Sequence, residues 1–393
     1  MKSKLLLLFC AFSLQQGVNA QATKKVLFEE INGAWCGRVP FGDWIIDNNL
    51  VVNYPNVLPV ILHYGTTTSN NQSRYDLLSN TYSDSIIDVF YVGVPHPAPE
   101  GMVDRFKFST QTNVVVPRPN DYTLVNNAWR DNVVTRLATS SPVSVTISGD
   151  YNNVTRVLNA TVNTNFVASA SGDMRINLWI VEDSVVGSGY GYDQHTYDYN
   201  NAASPFYQVG VQGVGEDTIP GYVHRHVLRG GASPAFGSAG IIPASVTNGQ
   251  NFSANYTYIL PANWNENNIN LVAFVSVYSA TINNHEVLNA EQVSLMNITT
   301  GINDVTENNA NAVIYPNPST GITTMNFSLN NPSHTAIAIF NLLGEKILTI
   351  EEGALSSGRH TAYFDAGKLE SGMYFIHIKT ESGTSSEKLM VTK

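Results

Sequence analysis

Between residues 140 and 300 the chain has no run with helical spacing, and this limits its fold more than any other feature. Apolar residues fall instead in short runs, at 143–147, 156–163, 175–181, 252–260 and 271–278, separated by Gly, Asn and Asp. Strands are short, alternate their side chains and end at residues that tolerate turns, so 140–300 reads as an antiparallel β-sandwich. Residues 21–139 mix two periods. Strands are expected at 25–31 and 57–64, and extended segments at 89–94 and 102–108. Helical stretches are expected at 42–53, 72–81 and 122–137, the last from Leu124, Val125, Ala128, Val133, Val134 and Leu137. Residues 301–311 (GINDVTENNAN) are polar and read as a linker, and 312–393 form a further block of strands. The fold class is therefore α+β and multidomain: an α/β N-terminal domain over 21–139, then two mainly antiparallel β-sandwich domains over 140–300 and 312–393.

The first 20 residues have a different purpose. Lys2 and Lys4 precede a short apolar run that ends in Val18-Asn19-Ala20, the pattern of a cleaved signal peptide. The run is too short to span a bilayer, and no later apolar segment is long enough, so a transmembrane helix is not expected. Cys10 lies within the signal, which leaves Cys36 as the one cysteine of the mature chain and excludes an intramolecular disulfide. Charged residues make up only 13% and the net charge is −10, or −12 once Lys2 and Lys4 are removed. Without clustered cations the chain has no means of neutralising phosphates, so nucleic acid is excluded as a partner. The composition is that of a secreted β protein.

One motif carries a chemical shape. A buried strand at 25–31 delivers Trp35-Cys36-Gly37-Arg38-Val39-Pro40 to the start of a helix, where unpaired N–H groups and the helix dipole favour a thiolate. The run resembles the Trp-Cys-Gly-x-Cys-Pro of the thioredoxin fold, with Val39 in place of the second cysteine. Without a resolving thiol Cys36 cannot cycle through an internal disulfide. The resemblance also places Pro99 opposite the cysteine as a cis-proline. Two readings of Cys36 stay open: a monothiol for redox or thiol-sensing chemistry, and a residue retained for packing after the chemistry was lost.

The likeness extends further. The stretches 26–40, 99–105 (PEGMVDR), 179–183 (WIVED), 222–229 (YVHRHVLR) and 287–290 (VLNA) together resemble the Omp28-type outer-membrane proteins of Bacteroidota. Those proteins join a thioredoxin-like domain to a β-sandwich. What the resemblance implies is a surface-exposed protein, an adhesin or receptor.

Within 222–229, His224 and His226 are two apart, which on a strand places both rings on one face. Two imidazoles there could begin a zinc or copper site, with Asp193 and His195 of the Tyr-rich loop 187–201 as further ligands. With the loop tyrosines and Arg229 they could instead line a ligand pocket, which makes 187–229 the candidate contact surface; the competing reading is a polar network, in which these histidines and Arg229 only fix the loop. No metal and no cofactor is expected. Adjacent acids such as Glu29-Glu30 point to opposite faces of a strand and make poor acid–base pairs, and hydrolase signatures are missing. A catalytic role is not expected.

The C-terminal block opens with Tyr315-Pro316-Asn317-Pro318 and continues through a hairpin at 341–346 that needs a positive φ at Gly344. Ser371-Gly372-Met373-Tyr374 follows, and the chain closes on Lys388-Leu389-Met390-Val391-Thr392-Lys393. In this order the elements closely resemble the type A sorting domain of the type IX secretion system. The resemblance implies export through that machinery, recognised by residues 312–393, and later removal of the domain. The expected product is a secreted or cell-surface protein that passes through the periplasm and binds an unknown surface ligand, glycan or protein.

Overall fold

The computed structural model describes residues 22–65, 75–90, 98–212, 217–298, 312–329, 332–342, 344–380 and 383–393. The signal segment 1–20, the linker 301–311 and most of the extended segment at 89–94 lie outside the described residues. Two compact units divide the chain, residues 1–300 and 301–393, and both are mostly β.

The first unit is built on one mixed sheet of eight strands. From its N-terminal part come β1 (Val26–Asn32), β2 (Val57–His63), β3 (Glu100–Val103) and β4 (Val116–Pro117). Three further strands, β5 (Val143–Asn152), β6 (Val157–Phe166) and β9 (Asn251–Ile259), form a separate sheet. The large sheet is completed by β7 (Asp173–Glu182), β8 (Val227–Gly231), β10 (Ile269–Tyr278) and β11 (Val287–Ser294), in the spatial order β11-β10-β7-β8-β2-β1-β3-β4. Sequence reading separates 21–139 from 140–300; the sheet takes strands from both sides of residue 140. The β2–β8 contact makes that join, with Val227 beside Ile61 and the Ile61 N–H donating to the His226 carbonyl at 2.7 Å.

Each face of the sheet is covered by what the period-two pattern presents to it. On one face, Leu27, Ile31, Val60 and Leu62 meet Ile86, Ile87 and Phe90 of helix α2 (Thr81–Phe90), and Trp179, Val181, Val272 and Phe274 continue this layer. On the other face the cover changes along the sheet. Val26, Phe28 and Ile61 pack on α1 (Val39–Ile45) and α3 (Ala128–Leu137) through Phe41, Ile45, Trp129 and Val133. Leu178, Ile180, Leu271 and Ala273 instead pack on the β5–β6–β9 sheet through Val145, Leu158, Val162 and Ala254.

Several sequence expectations shift. The helix foreseen at 72–81 begins at Thr81, where the Asn80 side chain accepts from the Tyr82 and Ser83 N–H groups at 3.1 and 3.0 Å. The one foreseen at 122–137 begins at Ala128, capped by Asn127. The extended segment at 102–108 ends instead in a turn after Val103, where Asp104 and Arg105 adopt φ of 50° and 49°. That turn sends both side chains into the protein. Arg105 forms a two-pronged ion pair with Glu29 at 2.8 and 2.7 Å, both side chains wholly buried. Its guanidinium lies 5.3–5.7 Å from the ring centres of Phe90, Trp179, Phe236 and Phe274. Asp104 accepts from the Leu27 N–H and pairs with Lys24 and Arg136, each at 2.8 Å.

The second unit is a sandwich of two antiparallel sheets. One orders Val313–Tyr315, Ile322–Leu329 and Gly358–Asp365; the other orders Lys346–Leu355, Ser333–Phe340, Gly372–Thr380 and Gly383–Val391. Phe327, Ile337, Ile339, Ile376, Ile378 and Leu389 share its core. Its opening and closing motifs are stitched together. The Asn317 amide donates to the Lys388 carbonyl and its oxygen accepts from the Met390 N–H, both at 2.8 Å. Gly344 has φ +80° in the hairpin.

Removing one partner of a desolvated ion pair strands the other, at a cost of about 3–5 kcal/mol. Glu29→Gln and Arg105→Met should each lower the unfolding free energy of the first unit, read from urea titrations, by an amount of that order. The double variant should cost less than the sum of the two. Additive losses in a double-mutant cycle would show that the pair is not coupled.

Candidate functional site

Buried β1 delivers the turn Gly33-Ala34-Trp35-Cys36, closed by the Cys36 N–H on the Gly33 carbonyl at 2.9 Å. Helix α1 begins three residues later at Val39, with Pro40 in its first turn, where the missing N–H costs nothing. Gly42 lets this helix sit close: a β-carbon there would lie 2.9 Å from the Pro99 ring and still nearer the Glu30 carboxyl. The Ala98–Pro99 peptide is cis. Cys36 is only 7% exposed, and its thiol donates to the Ala98 carbonyl at 3.0 Å.

This setting overturns the expectation of a stabilised thiolate. Burial pushes the Cys36 thiol above its ordinary value, and the Arg38 N–H and charge oppose that only in part. The physical reason is local. A carbonyl acceptor rewards the neutral S–H, and burial of the thiol outweighs the help of the helical segment that runs from Val39 through Val51.

The exposed side of the turn is occupied by the chain itself. A short strand, Gln194–Thr196, lies against it, held on its other edge by Asp217–Ile219. The His195 N–H donates to the Ala34 carbonyl at 2.9 Å, and the Tyr197 N–H to the Gly37 carbonyl at 2.8 Å. The buried Gln194 amide nitrogen reaches the carbonyls of Cys36 at 3.0 Å and Ala34 at 3.2 Å. A β-carbon on Gly37 would come within 2.6 Å of the Tyr197 ring. Gln194 is the residue that sequence reading missed; an amide in a polar loop gives no periodic or motif signal.

The other predicted site residues sit around this closure without converging. Asp193 accepts from the N–H groups of Gly189 and Gly221 at 3.1 and 3.0 Å and so fastens the loop ends. His195 is buried, its ring 5.6 Å from that of Tyr190. His224 donates through Nε2 to the Tyr192 carbonyl at 2.8 Å and packs edge-on against His63. Arg229 pairs with Glu182 at 3.4 Å and lies over Trp264.

The two histidines do not share the face of a strand. β8 begins only at Val227, and His226 has φ +54°, which breaks the alternation and sends its ring to other partners. Its Nδ1 meets Asp183 and its Nε2 meets Asp47, each at 3.1 Å. Among the described residues no group of three or more His, Cys, Asp or Glu is placed to hold a metal ion.

Their charges diverge accordingly. Burial lowers the pKa of His224 to about 4, with His63 adding repulsion, so its ring is neutral. Burial also disfavours charge on His226, but the bonds to Asp183 and Asp47 outweigh it and raise its pKa to about 9. Behind the turn, burial and mutual repulsion push Glu30 well above the carboxylate range, and Asp43 is raised as well. Tyr222 donates to Asp43 at 2.8 Å, and Asn32 bridges Asp43 and Glu30. Beside them lies a cleft of ≈ 20 Å³, lined by Asp43, Asp47, Tyr222, Arg225 and His226. It has room for about one water molecule.

The Omp28 outer membrane protein family matches residues 100–299. The chain belongs to the Omp28 family. A secretion system C-terminal sorting domain matches residues 313–392. An Omp28-family protein with a type IX sorting domain is a protein of the outer membrane, the cell surface or the secreted fraction, and it engages the type IX machinery. Among solved structures, HBP35 of Porphyromonas gingivalis is similar at 16% identity, covering 94% of this chain and 99% of that one with a TM-score of 0.49. A domain of the outer membrane lipoprotein Omp28 from the same organism is similar at 14% identity, covering 39% and 88%, with a TM-score of 0.22. Dimeric latent PorU, also from that organism, is similar at 11% identity over 77% and 24%, with a TM-score of 0.18. A search of curated proteins found no match.

The two histidines predict a stability maximum near neutrality. The raised pKa of His226 stabilises fully below about 6.5 and is lost as pH climbs through about 9. The depressed pKa of His224 stabilises above about 6.5 and is lost as pH falls through about 4. Each displacement is worth roughly 3 kcal/mol. His226→Gln should therefore flatten the alkaline limb of the stability curve and leave the acid limb unchanged. An unaltered alkaline limb in urea titrations at pH 6.5 and 9.5 would contradict the assignment.

Proposed function

We propose that the chain is a cell-surface binding protein, an adhesin or receptor, whose thioredoxin-like N-terminal part has exchanged thiol chemistry for structure. The parallel β1–β2 pair, the Cys36 turn ahead of α1 and Pro99 beside it support that lineage. One observation carries the functional reading: Gln194–Tyr197 is bonded onto the turn from which a reactive cysteine would have to act. Val39 in place of a second cysteine removes the cycling partner, and a protonated, buried thiol is a poor nucleophile.

Residues 312–393 are proposed to be the removable address. The 301–311 stretch, polar and without apolar periodicity, suits cleavage between two independently packed units. Protein recovered from the cell surface or medium should therefore lack Lys393, and intact-mass analysis reads this directly. An exported chain that keeps Lys393 would end the removal reading.

The non-catalytic reading is tested on Cys36. In the native protein it should react with a thiol reagent at neutral pH far more slowly than after unfolding in urea. Insulin-disulfide reduction should equal that of Cys36→Ser. Turnover that disappears in Cys36→Ser would establish thiol catalysis instead.

A further inference from the structure

The sheet β5–β6–β9 has one face in the core and the other in solvent. Its pairing is in register over the full length of β6, so residues from three strands line up in rows across the outer face. Two central rows are Thr146–Asn163–Ser253 and Ser148–Thr161–Asn255. The rows on either side add only Ser, Asn, Thr and one acid, Asp150, so four consecutive rows carry a hydroxyl, amide or carboxyl at every position. No lysine, arginine, aromatic or aliphatic side chain interrupts them. Row and strand spacings of about 6.7 and 4.8 Å make this a strip roughly 20 Å long and 10 Å wide.

The lattice is ordered by its own hydrogen bonds. Thr161 donates to the Asn255 amide oxygen at 2.8 Å, and Thr257 to that of Asn159 at 3.0 Å. Asn159 in turn donates to Asp150 at 3.3 Å. These bonds hold the short side chains of the lattice in place. The side chains are short and already oriented, so fixing them against a ligand costs little entropy.

We propose that this face binds a neutral polysaccharide, resting on the reading that the protein acts by binding. Chemistry selects the partner. A polyanion needs cations, and the face has none. A protein partner needs buried aromatic or arginine anchors, and a lipid surface needs apolar area; the face offers neither. What remains is dense donor and acceptor capacity on a flat strip with a single charge, Asp150, in an outer row, which complements the repeated hydroxyls of a neutral sugar chain. An exposed sheet face that served only solubility would carry interspersed Lys and Glu, which also guard against edge and face association.

The test uses the full chain without its signal, residues 21–393, titrated by calorimetry with mannan, dextran and laminarin, and with heparin as a polyanion. At least one neutral polysaccharide should bind, with affinity nearly constant between about 50 and 500 mM salt, unlike a phosphate-type contact. Thr161→Lys and Asn255→Lys each place a long charged chain in the centre of the strip. Each should weaken binding by about tenfold or more, roughly 1.4 kcal/mol, while the melting temperature stays unchanged. Binding that survives in both variants would place the sugar elsewhere and overturn this proposal, leaving the binding role intact. Failure of the wild type to bind any of the three neutral polymers, or a heparin signal alone that falls steeply with salt, would also overturn it. The reactivity and turnover of Cys36 then judge the non-catalytic role separately.

Discussion

The Glu29–Arg105 pair is the interaction on which the first unit depends. Glu29 sits in the middle of β1, and Arg105 reaches it from the turn after β3, with both side chains wholly buried. Two buried charges are tolerable only when each satisfies the other in good geometry, and the two-pronged contact supplies that. The rings that enclose the guanidinium come from α2, β7, β10 and the 232–242 loop region, through Phe90, Trp179, Phe274 and Phe236. Residues far apart in sequence are thereby required to meet at one point. Lys24, Asp104, Arg136 and Glu286 repeat this logic at the sheet's edge, tying the start of β1 to α3 and β11.

That joining decides what Cys36 can do. With β8 beside β2, the chain ahead of it crosses the Cys36 turn at Gln194–Tyr197. Its short strand finds the free carbonyls of Ala34 and Gly37, and Gln194 fills in the remainder. The histidines and acids around it are fasteners of this crossing. His226 clamps Asp47 of the N-terminal part to Asp183 at the end of β7, and His224 holds Tyr192. The face proposed for a ligand is a different one, the polar outer face of β5–β6–β9.

Much of this was legible in the sequence because it follows from side-chain period. The strands of 140–300 and of the sorting domain appear where short apolar runs fall between turn residues, and Gly344 has the φ that its hairpin requires. What local pattern could not carry is non-local. Val227 and Ile61 give no sign in sequence that they will be neighbours, so the continuity of the sheet across residue 140 was hidden. The helix starts moved because Asn80 and Asn127 are the caps, and an apolar period alone does not mark a cap. The histidine pair was misread because period two was applied to residues before the strand begins, where His226 takes a positive φ. Thiolate stabilisation at Cys36 failed for a related reason. A motif fixes the turn, but burial and the Ala98 carbonyl, which determine the protonation state, come from elsewhere in the fold.

The central claim is that residues 21–300 fold as one cooperative body because a single sheet with buried ion pairs runs through both parts. Equilibrium urea unfolding of the 21–300 fragment tests it, followed by two probes: Cys36 accessibility for the N-terminal part, and fluorescence of Trp264, made the sole tryptophan, for the C-terminal part. Coincident transitions with one midpoint and one m-value are the predicted result. Two separated transitions, with Cys36 exposed while the environment of Trp264 stays native, would contradict the account.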